Sequence, residues 1–249
     1  MFDLSGRTAL ITGAGRNVGR GIAHALASVG ARVAVNDFYP ERADAVVAEI
    51  EEAGGTAVAV AADVTDAEQI AGMVTAAEQA LGPIDILVNN AGIPPEPGKW
   101  VVPFLKTQPA DWEPMIRLNL YAVLNCTHVC VGKMVDRGWG RVVNIVSNAG
   151  RTGVPCTSAY AAGKAGTIGF ARALATEVGA SGVTVNCLAL GRVPLPGDDW
   201  QPPFATAPTP ITRPGQPLDV AAAVVWLASD EGGWVTGQTV SIDGGHFMT

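Results

Sequence analysis

The sequence predicts a doubly wound α/β fold, a parallel sheet of about seven strands with helices on both faces. Three observations predict it. Short runs that are apolar throughout are separated by longer segments with apolar residues at helical spacing. Hydrophobic residues fill 48% of the 249 positions and charged residues 16%, enough for a large core and the reverse of the balance that keeps a chain disordered. No linker or internal repeat divides the chain, so the repeated β–α units belong to one sheet and residues 1–249 to a single domain.

The elements follow in order. Thr8 to Thr12 is a buried strand, and Val18 to Val29 carries apolar residues at helical spacing. Arg32 to Asp37 is the second strand, followed by an amphipathic helix from Glu41 to Ala53 that stops at Gly54-Gly55. Thr56 to Ala61 is the third strand, and Asp66 to Leu81 a helix ended by Gly82-Pro83. Asp85 to Asn89 is the fourth strand. A long helix from Asp111 to Asp136 then leads to the fifth, Arg141 to Val146. Ser158 to Gly179 is helical, Val183 to Leu188 a strand, Asp219 to Ser229 helical, and Gln238 to Ile242 closes the sheet.

Aromatic residues are only 6%, so the core is built from Ala, Val, Leu and Ile. The net charge of −7 disfavours nucleic acid and anionic membrane surfaces, both of which want a basic face. The longest apolar stretch, Val220 to Ala228, is far below the ~20 residues of a membrane span. Met1-Phe2-Asp3 lacks the basic start of a secretory signal. Cys126, Cys130, Cys156 and Cys187 have neither a paired framework nor metal spacing, so they are expected as reduced core thiols in a cytoplasmic protein. His24, His128 and His246 form no ligand cluster and are expected at the surface or in packing; no metal is implied.

Fourteen of the seventeen prolines fall in two stretches, six from Pro94 to Pro114 and eight from Pro194 to Pro217. Both follow strands. Carboxyl ends of strands are where open α/β sheets bind ligands, so loops near 93–114 and 190–217 are expected as substrate walls.

After the first strand comes Thr12-Gly13-Ala14-Gly15-Arg16-Asn17-Val18-Gly19. Such a turn lets the backbone approach a pyrophosphate while the following helix offers unpaired N–H groups. Asp37 ends the second strand, eighteen residues after Gly19. A carboxylate there accepts hydrogen bonds from adenosine ribose hydroxyls and repels a 2′-phosphate, which favours NAD over NADP. Arg16 argues the other way, since a guanidinium beside the turn reaches a phosphate.

Tyr160 and Lys164 lie four residues apart on a helix, which puts an ammonium near a phenol and lowers its pKa toward acid–base work. Taken alone, such a pair is common on any helix. Thirteen residues before Tyr160, a buried strand runs into Ser147.

With Val142 to Tyr160, Thr12 to Gly19 and Asn89-Asn90-Ala91-Gly92, the sequence resembles the short-chain dehydrogenase/reductase family in its compact single-domain, Rossmann-type form. The resemblance runs the length of the chain. It continues in Asp63-Val64, Asn119, Val185-Asn186, Arg213-Pro-Gly, Thr236-Gly237 and Asp243-Gly244-Gly245. It implies Tyr160 as general acid/base, with Lys164 lowering its pKa and binding the nicotinamide ribose. Ser147 would polarise the substrate oxygen, and Asn119 would order a water relaying protons from Lys164. Asp63 and Val64 would hold adenine, and Asn90, Ala91 and Gly92 would line the cofactor. It also implies dimers and tetramers built on the two long helices.

The chain departs from the family in places. Asn17 stands where a glycine is usual, and tolerates left-handed geometry best among the other residues. Gly163 replaces a frequent serine, a change expected to matter little. Leu190-Gly191 replaces Pro-Gly. Val193 keeps a backbone contact for the carboxamide, but Leu195 stands in place of a threonine, a loss that Thr206, Thr209 or Thr212 would have to offset.

Substrate residues are expected in the two loops: Trp100, Phe104, Trp200 and Phe204, with Pro94, Val154 and Leu195 adding walls. Apolar and aromatic lining suits a small-molecule ketone or secondary alcohol. A 3-oxoacyl thioester reduced with NADPH, a steroid, a cyclic alcohol and a polyol all stay open. A non-catalytic cofactor sensor would be expected to lose part of Ser147, Tyr160 and Lys164, and all three are present. A lyase working without a nicotinamide would leave Asp37, Asp63 and the glycine-rich turn without purpose.

Overall fold

The computed structural model describes residues 1–94, 100–194 and 209–248. Its strands are β1 (Thr8–Ile11), β2 (Arg32–Val35), β3 (Thr56–Ala59), β4 (Ile86–Asn89), β5 (Gly140–Ser147), β6 (Val183–Leu190) and β7 (Thr239–Ile242). Its helices are α1 (Asn17–Ser28), α2 (Pro40–Glu52), α3 (Ala67–Leu81), α4 (Pro109–Ile116), α5 (Ala122–Arg137), α6 (Ser158–Val178) and α7 (Pro217–Ala228).

The strands form one parallel sheet in the order β3-β2-β1-β4-β5-β6-β7. The five inner strands are buried on both faces, as their apolar runs require, whereas the edge strands β3 and β7 are only partly covered. In β1, Ala9 and Ile11 pack with α1, α2 and α7, while Leu10 joins α3, α5 and α6 on the other face. Strand order reverses between β1 and β4, which opens a crevice at their carboxyl ends.

Most boundaries move by a residue or two, and two differences have physical causes. The sixth strand runs two residues beyond the expected Leu188, because Leu190 pairs with Ser147 of β5 on one side and Ile242 of β7 on the other. The helix expected from Asp111 to Asp136 begins at Pro109 and is interrupted by a π-type stretch, Arg117–Tyr121. Pro114 lies just upstream and lacks the N–H that would continue the regular ladder.

Three thiols are core residues as expected. Cys156 is not: it is half-buried, with φ of 67° in the left-handed region. Among the described residues, no helix is long and apolar enough to cross a membrane, and no group of His, Cys, Asp and Glu could hold a metal.

Candidate active site

A cleft of about 1290 Å³ runs along the carboxyl ends of the strands. Every described residue expected to bind cofactor faces it except Gly15: Gly13, Arg16, Asn17, Val18, Gly19, Asp37, Asp63, Val64, Asn90, Ala91, Gly92, Gly191 and Val193. So do Ser147, Tyr160 and Lys164, and the expected substrate residues Pro94, Trp100 and Val154. Leu195, Trp200 and Phe204 lie outside the described residues, as does Thr206.

The turn after β1 is held from three sides. Asn90 donates from Nδ2 to the carbonyls of Thr12 and Gly13, both at 2.9 Å. The Thr12 hydroxyl accepts from the amides of Asn90 and Ala91. Asn36 accepts from Gly13 N–H through Oδ1 and donates to Val60 and Ala62, tying the turn to the end of β3. Asn36, and the bracing role of Thr12, escaped the sequence reading. Their only signal was a polar residue ending an otherwise apolar strand.

Gly15 is kept from the cleft by Asp37, whose Oδ2 accepts its N–H at 3.0 Å while Oδ1 accepts from Tyr39 N–H. Asp37 is thus a structural brace as well as a cleft residue, and it is only 6% exposed. Arg42 lines the same end, its guanidinium 4.1 Å above the Tyr39 ring. Asn17 adopts φ of 45°, as its tolerance for left-handed geometry allows, and reaches Val193 O at 3.4 Å. The N-terminus of α1 has no side-chain cap and opens on the cleft, so its first N–H groups suit an anion such as a diphosphate. Asp63 Oδ1 accepts from the amide and hydroxyl of Thr65, which fixes the loop after β3 beside the cleft.

At the other end of the cleft, β5 delivers Ser147 and α6 delivers Tyr160 and Lys164 one turn apart. Tyr160 is hydrogen-bonded to Ser147, which pulls its pKa down, but burial dominates and pushes it up to about 12. Burial, rather than the nearby ammonium, thus dominates the phenol. The Lys164 Nζ lies 5.7 Å from the ring centre and donates instead to Ile145 O at 2.8 Å. Burial brings Lys164 down to about 8.

Asn119 is fully buried in the π-type stretch. Its Nδ2 donates to Met115 O, its carbonyl accepts from Thr167, and its Oδ1 has no protein partner. It borders Lys164: a Cβ on Gly92 would lie 2.7 Å from Lys164 Nζ and 2.8 Å from Asn119 Oδ1. Gly163 is not the neutral replacement expected, because a Cβ there would meet Asn119 Cβ at 2.8 Å. Helix α6 packs so closely on the π-type stretch that a side chain at that position would require one of them to shift.

Trp100 packs its ring 4.9 Å from that of Tyr160 and roofs the Ser147–Tyr160 end of the cleft. Val102 N–H donates to Cys156 O at 2.8 Å and anchors this wall to the loop carrying Val154. Phe104 instead stacks on Trp112 outside the cleft. His246, expected at the surface or in packing, lines the cleft, as does Thr209.

The family described as short chain dehydrogenase matches residues 7–196. The chain is 39% identical to a 3-oxoacyl-(acyl-carrier-protein) reductase of Synechocystis sp., over all of both chains. A solved 3-oxoacyl-(acyl-carrier protein) reductase from Brucella melitensis with bound NAD superposes with a TM-score of 0.89 at 35% identity, covering 100% of this chain and 94% of that one. A 7α-hydroxysteroid dehydrogenase complexed with NADH and 7-oxo glycochenodeoxycholic acid superposes at 0.91 with 33% identity, covering 98% and 95%.

Proposed function

Since the chain belongs to the short chain dehydrogenase family and is an oxidoreductase acting on CH–OH or C=O groups, we propose that it interconverts a secondary alcohol and a ketone with NAD, using Tyr160 as general acid/base. The observation that carries this reading is the meeting of Ser147, Tyr160 and Lys164 at one end of a cleft whose other end is built for a dinucleotide.

The dinucleotide, when bound, supplies the hydride chemistry. The chain's own residues do the rest. The uncapped start of α1 and the turn from Gly13 to Gly19 would hold the diphosphate. Asp37 keeps lone pairs for ribose hydroxyls beyond those given to Gly15 and Tyr39. Asp63 and Val64 would hold the adenine, Asn90 to Gly92 would line the middle, and the backbone of Gly191 and Val193 would take the carboxamide. The Ser147 hydroxyl fixes the substrate oxygen beside the Tyr160 phenol, which gives or takes the proton. A protonated Lys164 favours the phenolate, and Asn119 holds the relay behind it. Pro94, Trp100, Met115 and Val154 present an apolar wall to the substituents of the carbinol carbon, and one domain carries both cofactor and catalysis.

A second reading is a 3-oxoacyl thioester reductase using NADPH. Arg16 and Arg42 beside Asp37, together with the reductase relatives, support it.

One assay separates these. NADH formation is followed over a panel of secondary alcohols, and NADPH consumption with a 3-oxoacyl thioester. The leading reading expects turnover with NAD that Tyr160→Phe abolishes, by ~10³-fold or more, with NAD affinity within about threefold of the parent. Retained activity in Tyr160→Phe removes the phenol from its role.

A further inference from the structure

The two residues after Ser147 and the last strand are far apart in sequence but share a corner of the cleft. Leu190 pairs with both Ser147 and Ile242, so the chain leaving β7 emerges two strands from Ser147. There the Asp243 carboxylate accepts from Asn148 Nδ2 at 2.6 Å and from Phe247 N–H at 2.9 Å through one oxygen, and from Gly245 N–H at 2.9 Å through the other. A carboxylate only accepts, so the orientation of the Asn148 amide is fixed: Nδ2 faces Asp243 and Oδ1 points away. That Oδ1 is buried and has no protein partner. An unpaired buried acceptor is costly, and a charge-assisted bond on the same amide is what holds it in place.

A second stitch lies beside the first. Arg151 donates from Nη1 to Ser241 Oγ at 2.6 Å, and its guanidinium sits 4.6 Å over the Phe247 ring. Between these stitches lies the turn Asn148–Gly150. Its Ala149 N–H donates to Ser147 Oγ at 3.2 Å, and the carbonyl of Asn148 accepts from the amides of Arg151 and Thr152 at 2.8 Å. Holding Asn148 therefore holds the donor that orients the Ser147 hydroxyl.

We infer that Asp243 is a positioning residue for the reaction: through Asn148 it sets the turn that aims the Ser147 hydroxyl at the substrate oxygen and Tyr160. This rests on the reading of Ser147 and Tyr160 given above. It makes the segment Ser241–Phe247 a working part of the site rather than a trailing end of the sheet.

The test compares the full chain with Asp243→Ala, Asn148→Ala, the double variant, and the exchanged pair Asn148→Asp with Asp243→Asn, which reverses the donor and acceptor. Steady-state kinetics use the best alcohol of the parent, and hydrogen exchange reads the Ala149 amide. Each single alanine variant is expected to lower kcat at least tenfold, with KM for NAD within threefold. The double variant should be no worse than either single one. The exchanged pair should recover at least a third of the lost kcat, and it decides the matter if the alanine variants do not fold. Ala149 exchange should quicken at least tenfold in Asp243→Ala. Unchanged kcat in a folded variant, multiplicative losses in the double, or no recovery in the exchanged pair would overturn the inference. Absence of turnover in the parent overturns the reading of the site instead, whereas unchanged Ala149 exchange overturns the clamp whatever the parent does.

Discussion

Lys164 Nζ, 5.7 Å from the centre of the Tyr160 ring, donates a 2.8 Å hydrogen bond to the carbonyl of Ile145. The partner is a neutral dipole, so burial of the ammonium goes largely uncompensated and its pKa falls from 10.5 to about 8. The unfolded chain then binds this proton more tightly than the folded one. The fold is penalised below pH 8, and the penalty fades as pH rises from 8 toward 10.5. Tyr160, raised from 10 to about 12, opposes this only above pH 10. Urea denaturation of the cofactor-free protein should show Lys164→Met more stable than the parent at pH 7.5. That advantage should shrink by ~2 kcal/mol on going to pH 9.5. A constant difference between the two proteins would mean the amine titrates normally.

Gly92→Ala should separate activity from stability. The new methyl would press on the far end of Lys164 and on Asn119 Oδ1. A lysine terminus moves more cheaply than backbone, so thermal unfolding should shift by only ~1–2 kcal/mol. Turnover should drop by ~10²-fold, since displaced catalytic groups lose rate steeply. Kinetics and calorimetry on one preparation check both.

Asp37→Ala should do two things at once. The loss of the carboxylate removes the acceptor for Gly15 and Tyr39 N–H and so loosens the turn for either dinucleotide. It also removes the charge that repels a 2′-phosphate. We expect kcat/KM with NAD to fall about tenfold, worth ~1.4 kcal/mol, and the NAD-to-NADP ratio to narrow by at least as much. Asp37→Asn keeps an acceptor while removing the charge, so it should narrow the ratio with a smaller loss for NAD. An unchanged ratio in both would restrict Asp37 to bracing the turn.

Trp100→Ala should act on the substrate and spare the dinucleotide. With the indole 4.9 Å from the Tyr160 ring, its removal opens the apolar roof of the catalytic end. For a bulky apolar alcohol, KM should rise about tenfold, in line with the ~1–2 kcal/mol of one aromatic contact. KM for NAD should hold, and Trp100→Phe should recover most of the difference.

The order of strands and helices was legible because burial on both sheet faces leaves uninterrupted apolar runs, and helix faces leave their own period. The Ser147, Tyr160 and Lys164 set was legible because it is local: one strand end and one helical turn. What escaped was non-local. Pro114 marks a break in the helix but not the π-type stretch that buries Asn119, and the close approach of Gly163 depends on how α6 meets that stretch. The balance of burial and charge at the ammonium and the phenol escaped for the same reason. Spacing along a helix brings Lys164 and Tyr160 to one face, but β5 supplies a nearer acceptor, and the surrounding core sets both pKa values.

By itself, then, the sequence determined a parallel α/β sheet, a phosphate-suited turn and the proposed trio of Ser147, Tyr160 and Lys164, all properties of segments a few residues long. Only the tertiary structure decided that Asp37 braces the turn it faces, that Lys164 leans on Ile145, and that Asp243 grips Asn148 from 95 residues away. Hydrogen-bond partners and desolvation are set by whatever chain arrives from elsewhere, and no local pattern records that arrival.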